Sequence, residues 1–115
     1  DPVAETTFFS AKLDWAAREA PDKAEWLDWY HRVLLARRTH IWPLGPRLAT
    51  ARWQMTDTHA FAVDWEAADG TMLALRANLC GETAQVAPAE GRPVWQEGAA
   101  SGAPWSVMWR ISGGA

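Results

Sequence analysis

The spacing of apolar residues changes once along the chain, from a helical repeat to a strand repeat. Between residues 22 and 40 the apolar positions recur three and four residues apart, which is typical of an α-helix. Asp22 and Glu25 have the spacing of a capping box at its start, and Pro43 follows its end. We therefore predict one long helix over 22–40, with a wide apolar face that needs more than one packing partner. Its apolar residues are Trp26, Leu27, Trp29, Tyr30, Val33, Leu34 and Leu35.

After a linker at 41–46, apolar and polar residues alternate with the period of a β-strand. The alternation predicts clear strands near 51–55, 60–65, 71–79 and 105–111, and weaker ones near 83–86 and 92–96. Short strands separated by Gly and Pro turns favour a mainly β fold. We expect an antiparallel β-sandwich of about six strands preceded by the one long α-helix. The Gly-rich tail at 112–115 is expected to fray.

Length and charge narrow the class of protein. A chain of 115 residues can hold one domain with its own core but is too short for a barrel as well. The formal net charge of -3, with Lys and Arg scattered, argues against a nucleic-acid partner. No apolar run approaches the ~18 residues that a membrane helix needs, so no membrane partner is expected. Because Cys80 is the single cysteine, no internal disulfide can form, which fits a cytoplasmic location.

The sequence contains few residues in an arrangement that suits catalysis or metal binding. Cleavage of a glycosidic bond needs two carboxylates flanking the bond, and the acidic residues here read as capping, solvated or turn residues. The three histidines lack a metal-ligand spacing, and Cys80 has no cysteine partner. No Gly-rich phosphate loop is present. The sequence therefore predicts no catalytic residue, no metal and no cofactor.

The chain has nine tryptophans, which could form either a core or a sugar-binding surface. Five of them occupy the apolar positions of predicted strands or of the helix, and we expect them in the core: Trp26, Trp53, Trp65, Trp105 and Trp109. Trp95 lies in a Pro- and Gly-rich stretch with poor alternation. It is the best candidate for an exposed platform on which a sugar ring stacks.

The stretch from Phe8 to Trp15 reads F-F-S-A-K-L-D-W, and residues 34–38 near the helix end read L-L-A-R-R. Apart from an inserted Ala11, this pattern resembles the malto-oligosyltrehalose trehalohydrolases, which are α-amylase-family glycoside hydrolases. The resemblance implies that residues 1–43 are a linker and the last helix of a catalytic barrel. It also implies that residues 44–115 form a C-terminal β-sandwich. Since the chain starts at Asp1 rather than Met, we expect it to be a piece of that longer enzyme.

This resemblance implies an accessory role without catalysis, since the catalytic carboxylates would lie upstream of Asp1. The missing N-terminal barrel would be the partner, and the α-glucan maltooligosyl trehalose would be the substrate, cleaved at the α-1,4 bond next to its terminal trehalose. Loops that precede barrel helices border the substrate cleft, so Lys12, Asp14 and Trp15 become candidates for a position near substrate. Alternatively, these residues form an ion pair and a buried Trp that fix a loop.

The sequence leaves other interpretations open. A branching enzyme or another α-amylase relative is an alternative parent. A stand-alone carbohydrate-binding module or a protein-interaction domain is an alternative function.

Overall fold

The structure is a computed structural model and describes residues 1–113. Gly114 and Ala115, which end the predicted sandwich range and the predicted tail, lie outside the described residues. The chain divides into two compact units, Asp1–Val33 and Leu34–Ala115. The first unit holds helix α1, Glu5–Ala11, a 3-10 helix at Trp15–Glu19, and most of helix α2, Pro21–Ala36.

The predicted long helix is present, with a different start. Helix α2 begins at Pro21, a residue that suits the first helical position because its missing N–H has no intrahelical partner there. Asp22 therefore lies inside the first turn and pairs with Lys23 at 2.9 Å, so the predicted capping box is wrong. At the other end the helix continues as a π-helical turn, Arg37–Ile41, whose widened spacing brings the Trp42 N–H to the Arg37 carbonyl at 2.9 Å.

The second unit contains one open antiparallel sheet of five strands, which follows the long helix and confirms the predicted mainly β fold class. The strands are β1 Leu48–Asp57, β2 Ala60–Ala67, β3 Met72–Asn78, β4 Arg92–Glu97 and β5 Ser106–Ser112. Their order is β1-β2-β3-β5-β4, so the chain passes from β3 to the far edge before it returns to the centre. The weaker strand expected near 83–86 is not a strand. Ser112, predicted to fray, pairs with Met72.

On one face of the sheet, the side chains near the centre are buried, and most of these buried side chains are small or polar. This face, which we call the loop-covered face, carries the residues Ala60, Ala62, Ala74, Arg76, Asn78, Ser106 and Met108, all of them buried. Three alanines near its centre let the backbone of residues 79–91 approach the sheet closely. That segment takes the place of a second layer on this side.

Arg76 holds the segment 79–91 against the sheet. Its side chain is only 5% exposed and forms a two-pronged ion pair with Asp64 of β2, at 2.9 and 3.3 Å. The same guanidinium donates to the carbonyl of Ala87 at 2.8 Å and to that of Pro88 at 3.0 Å. Buried carbonyls need a donor, because an unpaired one costs free energy on leaving water. Arg76 thus satisfies the loop backbone and is itself neutralised by Asp64.

Asn78, two residues further along β3, does the same for a second pair of loops. The side chain is fully buried, and Nδ2 lies within hydrogen-bond distance of the carbonyls of Glu82, Gly102 and Ala103. Gly102 adopts φ +83°, and a Cβ there would overlap the Ala84 carbonyl. Only glycine combines this backbone conformation with such a close approach. The two loops are therefore fixed together over one buried amide.

We expect Arg76→Ala to lower the free energy of unfolding by about 3 kcal/mol or more, because it leaves Asp64 and two loop carbonyls without their donor. Arg76→Lys should recover part of this loss, since a single ammonium cannot reproduce the fork of contacts. Urea denaturation followed by circular dichroism gives both values. The matched control is Arg52→Ala: Arg52 is 67% exposed and reaches Glu66 at 3.4 Å, so its loss should cost less than about 1 kcal/mol. Equal losses of stability for Arg52→Ala and Arg76→Ala would show that Arg76 does not hold the covering segment on the sheet.

Candidate functional site

The opposite face of the sheet, which we call the aromatic face, carries the large apolar side chains. The strand register places one residue of each strand in a row across this face: Trp53, Val63, Leu75, Trp109 and Trp95. The rows on either side include Trp65, Leu73 and Ile111, and Met55, Phe61 and Val107. The sheet therefore presents a continuous apolar surface from edge to edge.

This aromatic face is exposed at its edge strand β1 and buried near its centre, where Leu73 is 2% exposed. Trp53, in the edge strand β1, is 73% exposed, and Met55 beside it is also exposed. Trp65 and Trp109 are half-buried and stack on each other across β3, with ring centroids 5.6 Å apart and planes 10° apart. A contiguous apolar patch of this kind marks an interaction surface in a soluble domain.

The expectation that five tryptophans form a core is wrong in most of its particulars. The alternation correctly placed Trp53, Trp65 and Trp109 on one face, but that face has no second layer over Trp53. Trp105 lies just before β5 at φ +53° and is 65% exposed, and its backbone N–H donates to the Cys80 carbonyl at 3.0 Å. Trp26 in α2 is also exposed.

Trp95, predicted as an exposed platform in a Pro- and Gly-rich stretch, lies in strand β4. It is half-buried and sits next to Trp109 in the aromatic row. A bulge between Pro93 and Trp95 explains why the alternation of this strand is weak in the sequence.

Lys12 and Asp14 lie in the exposed connection between α1 and the 3-10 helix, and Trp15 is the first residue of that helix. The Asp14 carboxylate accepts a hydrogen bond from the Ala16 N–H at 3.0 Å and so caps the 3-10 helix. Trp15 is 71% exposed, and within residues 1–113 Lys12 forms no ion pair with Asp14. The alternative of an ion pair with a buried Trp is therefore wrong, because Trp15 contacts water and the described residues show no Lys12–Asp14 pair.

The apolar face of α2 is exposed as well. No residue of this helix is buried, and Trp26, Leu27, Tyr30, Leu34 and Leu35 are all more than half exposed. Trp29 is half-buried and makes edge-on ring contacts with Trp26 and Tyr30, at centroid distances of 6.1 and 4.9 Å. This helix therefore presents a second apolar surface.

Groups of acidic, histidine and cysteine side chains that could hold a metal ion are absent from the described part of the chain. Among the same residues, no helix has the length and apolar character needed to cross a membrane.

We expect Trp109→Ala to lower the free energy of unfolding of this chain by about 2 kcal/mol, since it removes half-buried area and the stack on Trp65. Trp53→Ala should change it by less than about 0.5 kcal/mol, because most of that side chain already contacts water. Circular dichroism during urea denaturation avoids interference from the altered tryptophan content. A loss at Trp53 as large as that at Trp109 would mean that the aromatic face is covered in the isolated chain.

Comparison with known proteins gives one informative structural relative. A crystal structure of a Salmonella typhimurium protein, provisionally described as an alpha amylase, matches with a TM-score of 0.85 and 25% sequence identity. The match covers 98% of this chain but 20% of that one, so this chain spans about a fifth of that protein's length. The curated proteins contain no match. Residues 43–109, more than half of the sequence, match a family model described as a domain of unknown function, and the chain thus belongs to the DUF3459 family.

Proposed function

We propose that this chain is the C-terminal accessory region of an α-amylase-family glycoside hydrolase, and that it acts by packing against the catalytic part of the same polypeptide. One observation carries the proposal: almost the whole chain matches one fifth of a longer protein described as an alpha amylase. A piece of such a protein needs surfaces that face the remainder. The aromatic face of the sheet and the apolar face of α2 are surfaces of that kind.

Within this proposal, residues 1–43 belong to the last helix of the catalytic barrel and its approach, and residues 44–115 form the C-terminal domain. The family match supports this boundary, since it begins at residue 43. The exposed face of α2 supports it too, because the last helix of a barrel packs on neighbours that this chain does not contain. The catalytic carboxylates then belong to the barrel.

For the parent activity we propose a malto-oligosyltrehalose trehalohydrolase, which takes part in trehalose biosynthesis in the cytoplasm. The F-F-S-A-K-L-D-W stretch ending at Trp15 supports this assignment. The substrate would be a maltooligosyl trehalose, and Lys12, Asp14 and Trp15 would lie near its binding cleft. Trp95, in the edge strand β4 of the aromatic row, is our proposed position for sugar stacking, and packing against the catalytic part then uses the rest of this face.

The full-length protein should release free trehalose from maltotriosyl trehalose much faster than it shortens maltopentaose, because the trehalose end is what the cleft would recognise. Chromatography of the products after incubation with each substrate gives the comparison. Formation of α-1,6 branches from the maltooligosaccharide would overturn the trehalohydrolase assignment and leave the accessory role intact. Inactivity on every α-glucan would overturn both.

Substitutions of Asp14 can distinguish helix capping from contact with substrate, because asparagine caps a helix about as well as aspartate. In the full-length enzyme, Asp14→Asn should keep the melting temperature and raise KM for maltotriosyl trehalose several-fold if the carboxylate contacts sugar. Asp14→Ala should also lower stability by about 1 kcal/mol through loss of the cap. An unchanged KM in Asp14→Asn would leave Asp14 with capping alone. Trp95→Ala, assayed in parallel, tests the sugar contact proposed at the sheet.

A further inference from the structure

We propose that Arg37, Arg38 and Trp42 form a docking site for an acidic segment of the catalytic part of the same polypeptide. This inference rests on the proposed function, since it assumes that a catalytic part exists. The site lies in the π-helical turn that ends the long helix and in the residues that follow it. It is separate from the aromatic face of the sheet.

The backbone at this point forms an open cavity. Its volume is about 440 Å³, and it is lined by Leu34, Arg37, Arg38, Ile41, Trp42 and Gly45. Trp42 is 69% exposed, so a broad indole surface is available beside the two guanidinium groups. A π-helical turn is a rare deviation from the α-helix and occurs often at functional positions. Here it is closed by the hydrogen bond from Trp42 to Arg37, which places the indole beside the arginines.

These two arginines have no side-chain hydrogen bond or ion pair within the described residues. Every other arginine in residues 34–113 has a side-chain interaction: Arg47 with Asp69, Arg52 with Glu66, Arg76 with Asp64, Arg92 with His40, and Arg110 with the Gly91 carbonyl. Among the arginines of that part of the chain, only Arg37 and Arg38 form neither an ion pair nor a side-chain hydrogen bond. Two adjacent unpaired guanidinium groups select an anionic occupant.

The occupant must combine carboxylates with an apolar side chain. Guanidinium groups bind carboxylates in a planar, two-pronged geometry, and Trp42, Ile41 and Leu34 provide apolar surface next to them. Most of a polypeptide like the matched relative lies outside a region of this size, so the nearest supply of acidic segments is the same chain. A tethered segment acts at an effective concentration in the millimolar range, which makes modest contacts sufficient. These observations favour an intramolecular acidic segment over a freely diffusing anion.

The test compares the full-length protein with the Arg37→Gln/Arg38→Gln variant by hydrogen–deuterium exchange. The variant should exchange about tenfold or more faster at residues 34–45 and in one acidic segment of the catalytic part. The control Arg47→Gln/Arg52→Gln removes the same charge elsewhere and should leave that segment protected. Raising NaCl from about 10 mM to about 0.5 M should deprotect the same segment in the wild type, which keeps the test valid if the variant misfolds.

Opposite results overturn the proposal. Unchanged exchange in the catalytic part, in both the variant and high salt, would mean that no acidic segment docks here. If only residues 34–45 respond, and about 10 mM inorganic phosphate protects them in the wild type, the site binds a small anion instead. These readouts do not involve α-glucan hydrolysis, so they fail or succeed separately from the activity assay.

Discussion

Arg76 projects from the central strand β3 with its side chain almost fully removed from water, and both the loop above it and the strand beside it depend on this one group. A guanidinium in that position is stable only if a carboxylate compensates its charge, which Asp64 does. The remaining donors are then directed at the carbonyls of Ala87 and Pro88 in the covering segment. Asn78 repeats this arrangement for the loops around Glu82 and Gly102. The sheet and its covering segment are therefore joined through polar groups.

This arrangement gives the loop-covered face a buried layer with few large apolar side chains. The covered face contains alanines and polar groups, because only small side chains let a loop backbone approach so closely. Most of the large apolar residues lie on the other face, where Leu73 is buried and Trp53 remains mostly in contact with water. Leaving such a surface open is costly for a free-standing domain, and this cost disappears if the surface packs against another part of a longer chain. The polar contacts of Arg76 and Asn78 and the exposed part of the aromatic face therefore both follow from covering one side of the sheet with a loop.

The proposed accessory role assigns separate tasks to the exposed surfaces. The aromatic face and the apolar face of α2 offer apolar contact area. Because hydrophobic burial has no preferred direction, these faces suit packing against a rigid neighbour. The pocket at Arg37, Arg38 and Trp42 adds direction, because guanidinium groups donate to carboxylates only in a defined planar geometry. Exposed apolar area would supply affinity, and the charged pocket would fix the position in which the parts meet.

The sequence by itself determined the local elements and the sides on which residues lie. The three- and four-residue spacing located the long helix, and strict alternation placed Trp53, Trp65 and Trp109 on one side of the sheet, because backbone geometry fixes both periods. The strand at Trp95 produced only a weak pattern, because a bulge breaks the alternation there. Nor did periodicity show which face would be covered, since it describes each strand alone, whereas coverage depends on where residues 79–91 return. Only the tertiary structure decided that Arg76 and Asn78 hold a buried layer and that Trp53 and Trp105 face water, because these outcomes depend on contacts between residues far apart in the chain.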